Sequence, residues 1–319
     1  MKIVILDATA LNPGDLSYDC IHQFGEVTLY DKTESEALTI ERIGDHEIVL
    51  VNKVPITEAI LDACPNIKLI CVQATGYNIV DVDACAKRGI PVTNVPSYGT
   101  AAVAQFTMAL ILELCHRVGL HNHSVHQGDW IKSTNFCYWV SPQMELAGKT
   151  LGIVGFGRIG QAVGLLAKAF GMRVIAYNRS QSEAGRAIAE YVDLDTLFAE
   201  SDFLSLHCPQ TAETANLINA HSIAKMKDGA YLINTARGGL VDESALVEAL
   251  ESGKLRGAAV DVVSQEPMKA DNPLLKTRKC IITPHIAWAP VESRQRLLDC
   301  VVENIRGFLN GTPQNVVNM

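Results

Sequence analysis

The sequence predicts an α/β protein built from two doubly wound parallel-sheet domains. Three observations lead there. Short apolar runs of strand length alternate with stretches of helical spacing, first over residues 1–99 and again from Thr150 onward. Many of those runs are apolar at every position, the pattern of strands covered by helices on both faces of a parallel sheet. The chain has 319 residues, 48% of them hydrophobic and 19% charged. That length suits about two domains of ~150 residues, and that composition excludes wholesale disorder.

In the first unit the predicted strands are Lys2–Asp7, Glu26–Asp31, Glu47–Asn52, Leu69–Ala74 and Pro91–Val95. The stretches Glu34–Ile43, Thr57–Ala63 and Asp81–Arg88 between them carry helical spacing. A long helix is predicted from Thr100 to about Gln127. Its start, AAVAQFTMALILEL, is apolar nearly all round, as in a helix buried between domains or between subunits. Residues 130–148 show little periodicity and hold Trp130, Phe136, Tyr138 and Trp139. They read either as an arm that packs on a partner chain or as a long loop held by its own aromatics. Alternation resumes with strands at Leu151–Gly155, Arg173–Asn178, Phe203–His207, Ala230–Asn234, Ala258–Val262 and Cys280–Thr283. Helices are predicted at Arg158–Phe170, Leu194–Ala199, Glu243–Ser252 and Val291–Asn310. The last helix follows the second unit's final strand, so its return to the first unit would make that domain discontinuous.

Charge and cysteine usage narrow the partners. Lys plus Arg is 27 and Asp plus Glu is 35, a net charge of −8 with no basic run. That argues against nucleic acid. The apolar start Ile3–Leu6 is too short for a secretory h-region. The stretch Ala101–Leu114 is broken by Gln105 and Glu113 and falls short of the ~18 residues of a membrane span. Nine scattered cysteines, an odd number without a CxxC pair, suit reduced thiols in a cytoplasmic protein.

The strongest local signal is Leu151-Gly-Ile-Val-Gly155-Phe-Gly157-Arg158-Ile159-Gly160, a glycine loop between an apolar strand and a helix. In that context Gly155 permits the tight turn, Gly157 lets the backbone approach a pyrophosphate, and Gly160 lets helix and strand pack closely. The helix N-terminus at Arg158 and Ile159 offers N–H groups and partial positive charge to the anion. The next strand ends in Asn178-Arg179-Ser180. An acid at that end would accept from a ribose 2′-OH but would repel a 2′-phosphate; one like-charge pair at ~4 Å costs about 4 kcal/mol at an effective dielectric of 20. Asn178 removes that repulsion, while Arg179 and Ser180 can donate to phosphate. The pattern favours NADP, or dual use, over strict NAD.

Three later segments each place one polar residue in an apolar or glycine-rich setting after a strand. They are INTARGG with Arg237, VDVVSQEP with Glu266, and ITPHIAW with His285. Together these residues supply what reduction of a 2-oxo acid needs. A guanidinium binds a carboxylate bidentately and polarises the ketone. A protonated imidazole gives the proton that the new alkoxide takes up. A carboxylate beside it orients the ring and favours its protonated form.

With those residues in place, the chain resembles the D-isomer-specific 2-hydroxyacid dehydrogenase family over nearly its whole length. The resemblance is carried by ELAGKTLGIVGFGRIGQ (145–161), INTARGGLVDESAL (233–246), AVDVVSQEP (259–267) and TPHIAW (283–288). It implies a flavodoxin-like substrate-binding domain over 1–99, completed by 287–319, and a Rossmann dinucleotide-binding domain over 100–286. It assigns Arg237 to the substrate, Glu266 to assistance and His285 to acid–base work. It also places Thr235 and Asp261 at the nicotinamide end, with Cys208 and Pro209 lining the cofactor and Ala287 among the cofactor-binding residues. Thr75 and Gly76, in ATGYN (74–78), resemble the carboxylate-binding loop, and Lys53 and Trp288 would help shape the substrate pocket. The variant VAQFTMALILEL, with LNPGDLSYD (11–19) and VPSYGTAAVAQ (95–105), looks most like the glycerate dehydrogenase and hydroxypyruvate reductase branch. The implied substrate is hydroxypyruvate or glyoxylate and the implied assembly a homodimer. A D-lactate-type reductase is the near alternative. A dinucleotide-sensing corepressor-like scaffold is the alternative from another class.

Overall fold

A computed structural model describes residues 1–319. The chain divides into two compact units: Met1–Gly99 with Ala289–Met319, and Thr100–Trp288.

The first unit holds a five-stranded, wholly parallel sheet of β1 (Lys2–Ile5), β2 (Glu26–Leu29), β3 (Ile48–Val51), β4 (Leu69–Val72) and β5 (Val92–Thr93), in the order β2-β1-β3-β4-β5. β1 pairs Ile3 with Val27 on one side and with Ile48 on the other, so the topology switches direction at β1. Val4, Leu6, Val49, Val51, Ile70 and Val72 pack into one core with Ile43, Ile60 and Cys85 from the connecting helices. Those helices start where the side chains of Ser35, Thr57 and Asp81 accept the N–H groups of Leu38, Ile60 and Ala84. The C-terminal helix Val291–Leu309 belongs to this unit and buries Leu297, Leu298, Val301 and Ile305. It is tied down by a bidentate pair between buried Arg294 and Asp15, both bonds 2.6 Å, which holds the Asp15 carboxyl below its ordinary range. Beyond it, Val317 donates to the Val92 carbonyl beside β5.

The second unit holds a seven-stranded parallel sheet of β6 (Thr150–Val154), β7 (Arg173–Tyr177), β8 (Glu190–Tyr191), β9 (Phe203–Leu206), β10 (Ala230–Asn234), β11 (Leu255–Val260) and β12 (Cys280–Ile282). Its order is β12-β11-β10-β9-β6-β7-β8, with the switch between β6 and β9. Alternate residues feed opposite faces, as the strand period of two requires. Leu204, Leu206 and Leu232 join a core with Leu246 and Leu250, whereas Ile153, Phe203 and Ile233 join one with Met108, Ile111 and Val163. Each fully buried Leu or Ile contributes about 1.5–3 kcal/mol relative to exposure.

The expected α/β class with two parallel sheets is present, and the differences lie in its details. The helix predicted from Thr100 to Gln127 is two helices, Thr100–His116 and Val118–His126, bent by 55° where Arg117 adopts a left-handed conformation. The break falls where the apolar pattern ends at Cys115; Val118, Leu120 and Val125 beyond it are exposed. The edge strand β8 and the short helices Asp19–His22, Glu183–Arg186 and Ala220–Lys225 carry too few residues to show a period. Most predicted strands stop one or two residues early. Asp7, Asn52, Gly155, Asn178, His207 and Thr283 lie past the last ladder pair, at the carboxyl ends where open α/β sheets bind ligands. No single helix is long and apolar enough to cross a membrane.

Candidate active site

The glycine loop sits at the switch between β6 and β9, and its three glycines are demanded by different neighbours. Gly155 has φ +89°, and a Cβ there would lie 2.4 Å from the Cys208 nitrogen. A Cβ at Gly160 would lie 2.3 Å from the Gly155 carbonyl oxygen. Gly157 is the opposite case, because a Cβ there would meet nothing within 4 Å. Space in front of Gly157 therefore opens outward, while Gly155 and Gly160 press inward. Gly157 is the N-cap of the helix Arg158–Ala169 and brings no side chain of its own over the first turn. A cradle of this shape, with a helix N-terminus behind it, fits a dinucleotide pyrophosphate. Ile159 is half-buried against the core and Arg158 lies at the surface.

The Asn178–Ser180 turn braces this loop. The Asn178 Oδ1 accepts from the Phe156 N–H at 3.0 Å, and its Nδ2 donates to the Ser180 carbonyl at 2.6 Å. Both ends of the amide are thus engaged inside the turn, which leaves outward recognition to the exposed Arg179 and Ser180. Cys208 is half-buried behind Gly155, and burial pushes its thiol above the ordinary range. Pro209 is exposed, and its carbonyl accepts from Thr214.

Arg237, Glu266 and His285, which lie 48 residues apart from first to last, line one cavity of about 140 Å³. Arg237 follows β10; one of its N–H groups donates to the Ala236 carbonyl at 2.7 Å, and the rest of the fork has no protein acceptor. Glu266 follows β11 and uses both carboxylate oxygens. Oε2 lies 2.7 Å from His285 Nδ1, and Oε1 accepts from the Val263 N–H at 3.1 Å. His285 Nε2 has no protein partner. The ring's backbone is held at φ +57°, outside the range a histidine ordinarily adopts.

The cause of that backbone conformation is Asp261, which is 1% exposed. Its carboxylate accepts from Thr283 Oγ1 at 2.6 Å, Ile286 N at 2.9 Å and Ala287 N at 2.8 Å, while its carbonyl accepts from His285 N at 2.8 Å. Asp261 and Ala287, both expected at the cofactor, close the turn that presents His285. Trp288 adds a bond from Nε1 to the His285 carbonyl at 2.9 Å. Thr235 is buried, and its hydroxyl meets that of Thr107 at 3.0 Å. In the other unit, Lys53, Thr75 and Gly76 follow β3 and β4. The Lys53 N–H donates to Asp7 at 2.6 Å and Thr75 Oγ1 donates to the Val95 carbonyl at 2.8 Å.

Two cavity-lining residues escape a reading by motif. Gln210 lays its amide over Gly239, where a Cβ would lie 2.3 Å from Nε2, and Ser264 lines the same cavity beside Gly238. Gln210 stands in no motif and carries no charge; Ser264 lies inside VDVVSQEP, two residues before Glu266, but as an uncharged residue it is not singled out there.

The profile of the D-isomer specific 2-hydroxyacid dehydrogenase NAD-binding domain matches residues 108–287. A hydroxypyruvate reductase of Blautia hydrogenotrophica is 51% identical over 100% of both chains. The chain belongs to the D-isomer-specific 2-hydroxyacid dehydrogenase family. A glycerate dehydrogenase of Methylorubrum extorquens is 41% identical over 99% of this chain and 98% of its own. Among solved structures, an acyclic imino acid reductase in complex with NADPH and D-Arg superposes with a TM-score of 0.86 at 30% identity, over 99% of this chain and 100% of that one. In this 2-hydroxyacid dehydrogenase, the glycine cradle and the Arg237–Glu266–His285 cavity lie in the unit that the family profile spans.

Proposed function

We propose that the chain reduces a small 2-oxo acid, hydroxypyruvate or glyoxylate, to the D-2-hydroxy acid, and runs the reverse oxidation. The observation that carries this reading is the 2.7 Å contact between His285 Nδ1 and Glu266 Oε2 in a cavity shared with Arg237. Glu266 accepts from Nδ1–H and so leaves Nε2 as the atom that exchanges a proton with substrate. In the direction of reduction, Nε2–H of the protonated ring passes its proton to the ketone oxygen, which becomes the hydroxyl. Arg237 takes the substrate carboxylate on its free N–H groups and polarises the ketone. The bound dinucleotide supplies the hydride that the carbonyl carbon gains. Gly155, Gly157 and Gly160 hold its pyrophosphate, and Thr235, Cys208 and Pro209 line the path toward the reacting end. Lys53, Thr75, Gly76 and Trp288 belong to the same proposal as groups that select the substrate.

For the coenzyme we favour NADPH over NADH. Exposed Arg179 and Ser180 offer donors to a 2′-phosphate, and no carboxylate closes the strand to repel it. The relatives' names favour hydroxypyruvate and glycerate over a D-lactate-type substrate. Nine free thiols, five of them buried, favour a reducing compartment such as the cytoplasm.

We also propose a homodimer. Ala104, Met108 and Leu112 on helix Thr100–His116 and Leu165, Leu166 and Phe170 on helix Arg158–Ala169 and its C-terminus line an apolar surface cavity of about 610 Å³. In the arm of residues 130–148, Trp130 Nε1 donates to the Phe136 carbonyl at 3.1 Å and the Tyr138 hydroxyl meets Ser124 Oγ at 3.0 Å, while the Phe136 and Trp139 rings are 94% and 68% exposed. Apolar surface of this extent favours a second copy as its cover.

The test is turnover of hydroxypyruvate, glyoxylate and pyruvate with NADPH and with NADH. Hydroxypyruvate or glyoxylate with NADPH should give the highest kcat/KM. No turnover of any 2-oxo acid would refute the activity, and a strong NADH preference would refute the coenzyme argument. In the same assay His285→Ala should lower kcat by about 10²–10⁴ while dinucleotide Kd stays within twofold.

A further inference from the structure

Glu243 is the first residue of helix Glu243–Ser252, yet it does not cap that helix. The cap is Asp242, whose side chain accepts from the N–H groups of Ser244 and Ala245, each at 3.0 Å. Glu243 instead turns inward and is 9% exposed. Its Oε1 accepts from the Ser264 N–H at 2.7 Å, and its Oε2 accepts from Ser264 Oγ at 2.8 Å and from Asn272 Nδ2 at 2.9 Å. No lysine, arginine or histidine forms an ion pair with it. A buried carboxylate without a counter-cation is costly, so its retention needs a geometric reason.

That reason lies two residues beyond Ser264. All three groups on Glu243 are donors, and a carboxylate is the side chain that accepts only. It pins Ser264 by both backbone and side chain. The pinned segment runs from Val263, whose N–H meets Glu266 Oε1 at 3.1 Å, to Glu266, whose Oε2 meets His285 at 2.7 Å. The opposite side is equally tight, because a Cβ at Gly238 would lie 1.9 Å from the Val263 carbonyl carbon. The loop that carries Glu266 is therefore clamped between the Gly238 backbone and the Glu243 carboxylate.

We propose that Glu243 is a positioning residue, whose hold on Ser264 keeps the Glu266 carboxylate against the His285 ring. Its catalytic consequence rests on the reading of His285 as the proton donor, but its structural content does not. In Glu243→Gln the amide Nε2 would face donors, and the loop would relax away from His285.

The experiment follows the Nδ1 proton of His285 by NMR, its signal identified by its absence in His285→Gln. In Glu243→Gln that proton should move upfield and exchange faster with water, because the carboxylate 2.7 Å from Nδ1 is held less closely. The kcat of reduction should fall about 10–100-fold, and NADPH Kd, read by fluorescence, should stay within twofold. Asn272→Ala is the control: it breaks one bond to Glu243 but none to the loop. It should lower Tm and leave the His285 Nδ1 proton and kcat as in the wild type. A folded Glu243→Gln protein with a wild-type Nδ1 proton signal and kcat within twofold would overturn the proposal and leave Glu243 as a strut. Should Glu243→Gln not fold, Glu243→Asp, one methylene too short to reach Ser264, is read the same way. If the wild type turns over no 2-oxo acid, the functional reading fails while the Nδ1 proton still decides the role of Glu243.

Discussion

His207 follows β9 with its Nε2 2.8 Å from Ser205 Oγ, and burial lowers its imidazole from the ordinary 6.5 to about 4. Between those two values an unfolded chain binds a proton that the folded chain does not. The sign follows: the contribution of His207 to stability is complete above about pH 6.5 and is lost as pH falls from there toward 4. Urea unfolding at pH 7.5 and pH 5 should show the wild type losing about 2 kcal/mol more than His207→Gln. Equal losses would mean that the ring is not held neutral. His207 was legible in the sequence only as the end of a strand, because nothing in the order of residues records how far the fold covers its ring. Asp261 is a similar case. Its motif was plain, but its three-fold engagement by Thr283, Ile286 and Ala287 is a property of the folded turn.

At the scale of the element, the strand–loop–helix unit of β6 and helix Arg158–Ala169 separates two uses of glycine. Gly155→Ala places a methyl 2.4 Å from a backbone nitrogen at φ +89°. It should destabilise the fold by about 1–3 kcal/mol, read as a lower Tm. Gly157→Ala places its methyl in open space, so Tm should stay near the wild type. Dinucleotide Kd should nevertheless rise at least tenfold, because the methyl occupies the space the backbone offers to the pyrophosphate. If Gly157→Ala bound the dinucleotide normally, the cradle would have been assigned to the wrong ligand. The spacing of these glycines after an apolar strand was legible without coordinates. Which of them faces a ligand and which faces the protein was not, because that depends on Cys208, more than fifty residues away along the chain.

At the scale of the whole molecule, the apolar face on helices Thr100–His116 and Arg158–Ala169 bears on assembly. Leu165 is 56% exposed, so Leu165→Glu should cost the isolated chain little stability. Paired with Phe170→Asp it should convert a dimer to monomers in sedimentation velocity. A wild-type chain that sediments as a monomer at micromolar concentration would remove the pairing from the proposal.

By itself the sequence determined what periodicity and chain-local chemistry can encode. The alternating apolar runs gave two parallel sheets, the glycine spacing gave a dinucleotide loop, and Arg237, Glu266 and His285 stood out as polar residues placed after strands. Strand ends were overread because Asp7, Asn52 and Asn178 continue the local pattern after the ladder has stopped. The single long helix was overread because the turn falls on Arg117, while the nearest glycine, Gly119, lies inside the second helix. Tertiary structure alone decided what depends on residues distant in the chain. It set His285 against Glu266, wrapped Asp261 around the turn that presents the ring, and turned Glu243 inward to hold Ser264. Pair contacts across a folded sheet are fixed by packing and register, and neither is written in the neighbours of any one residue.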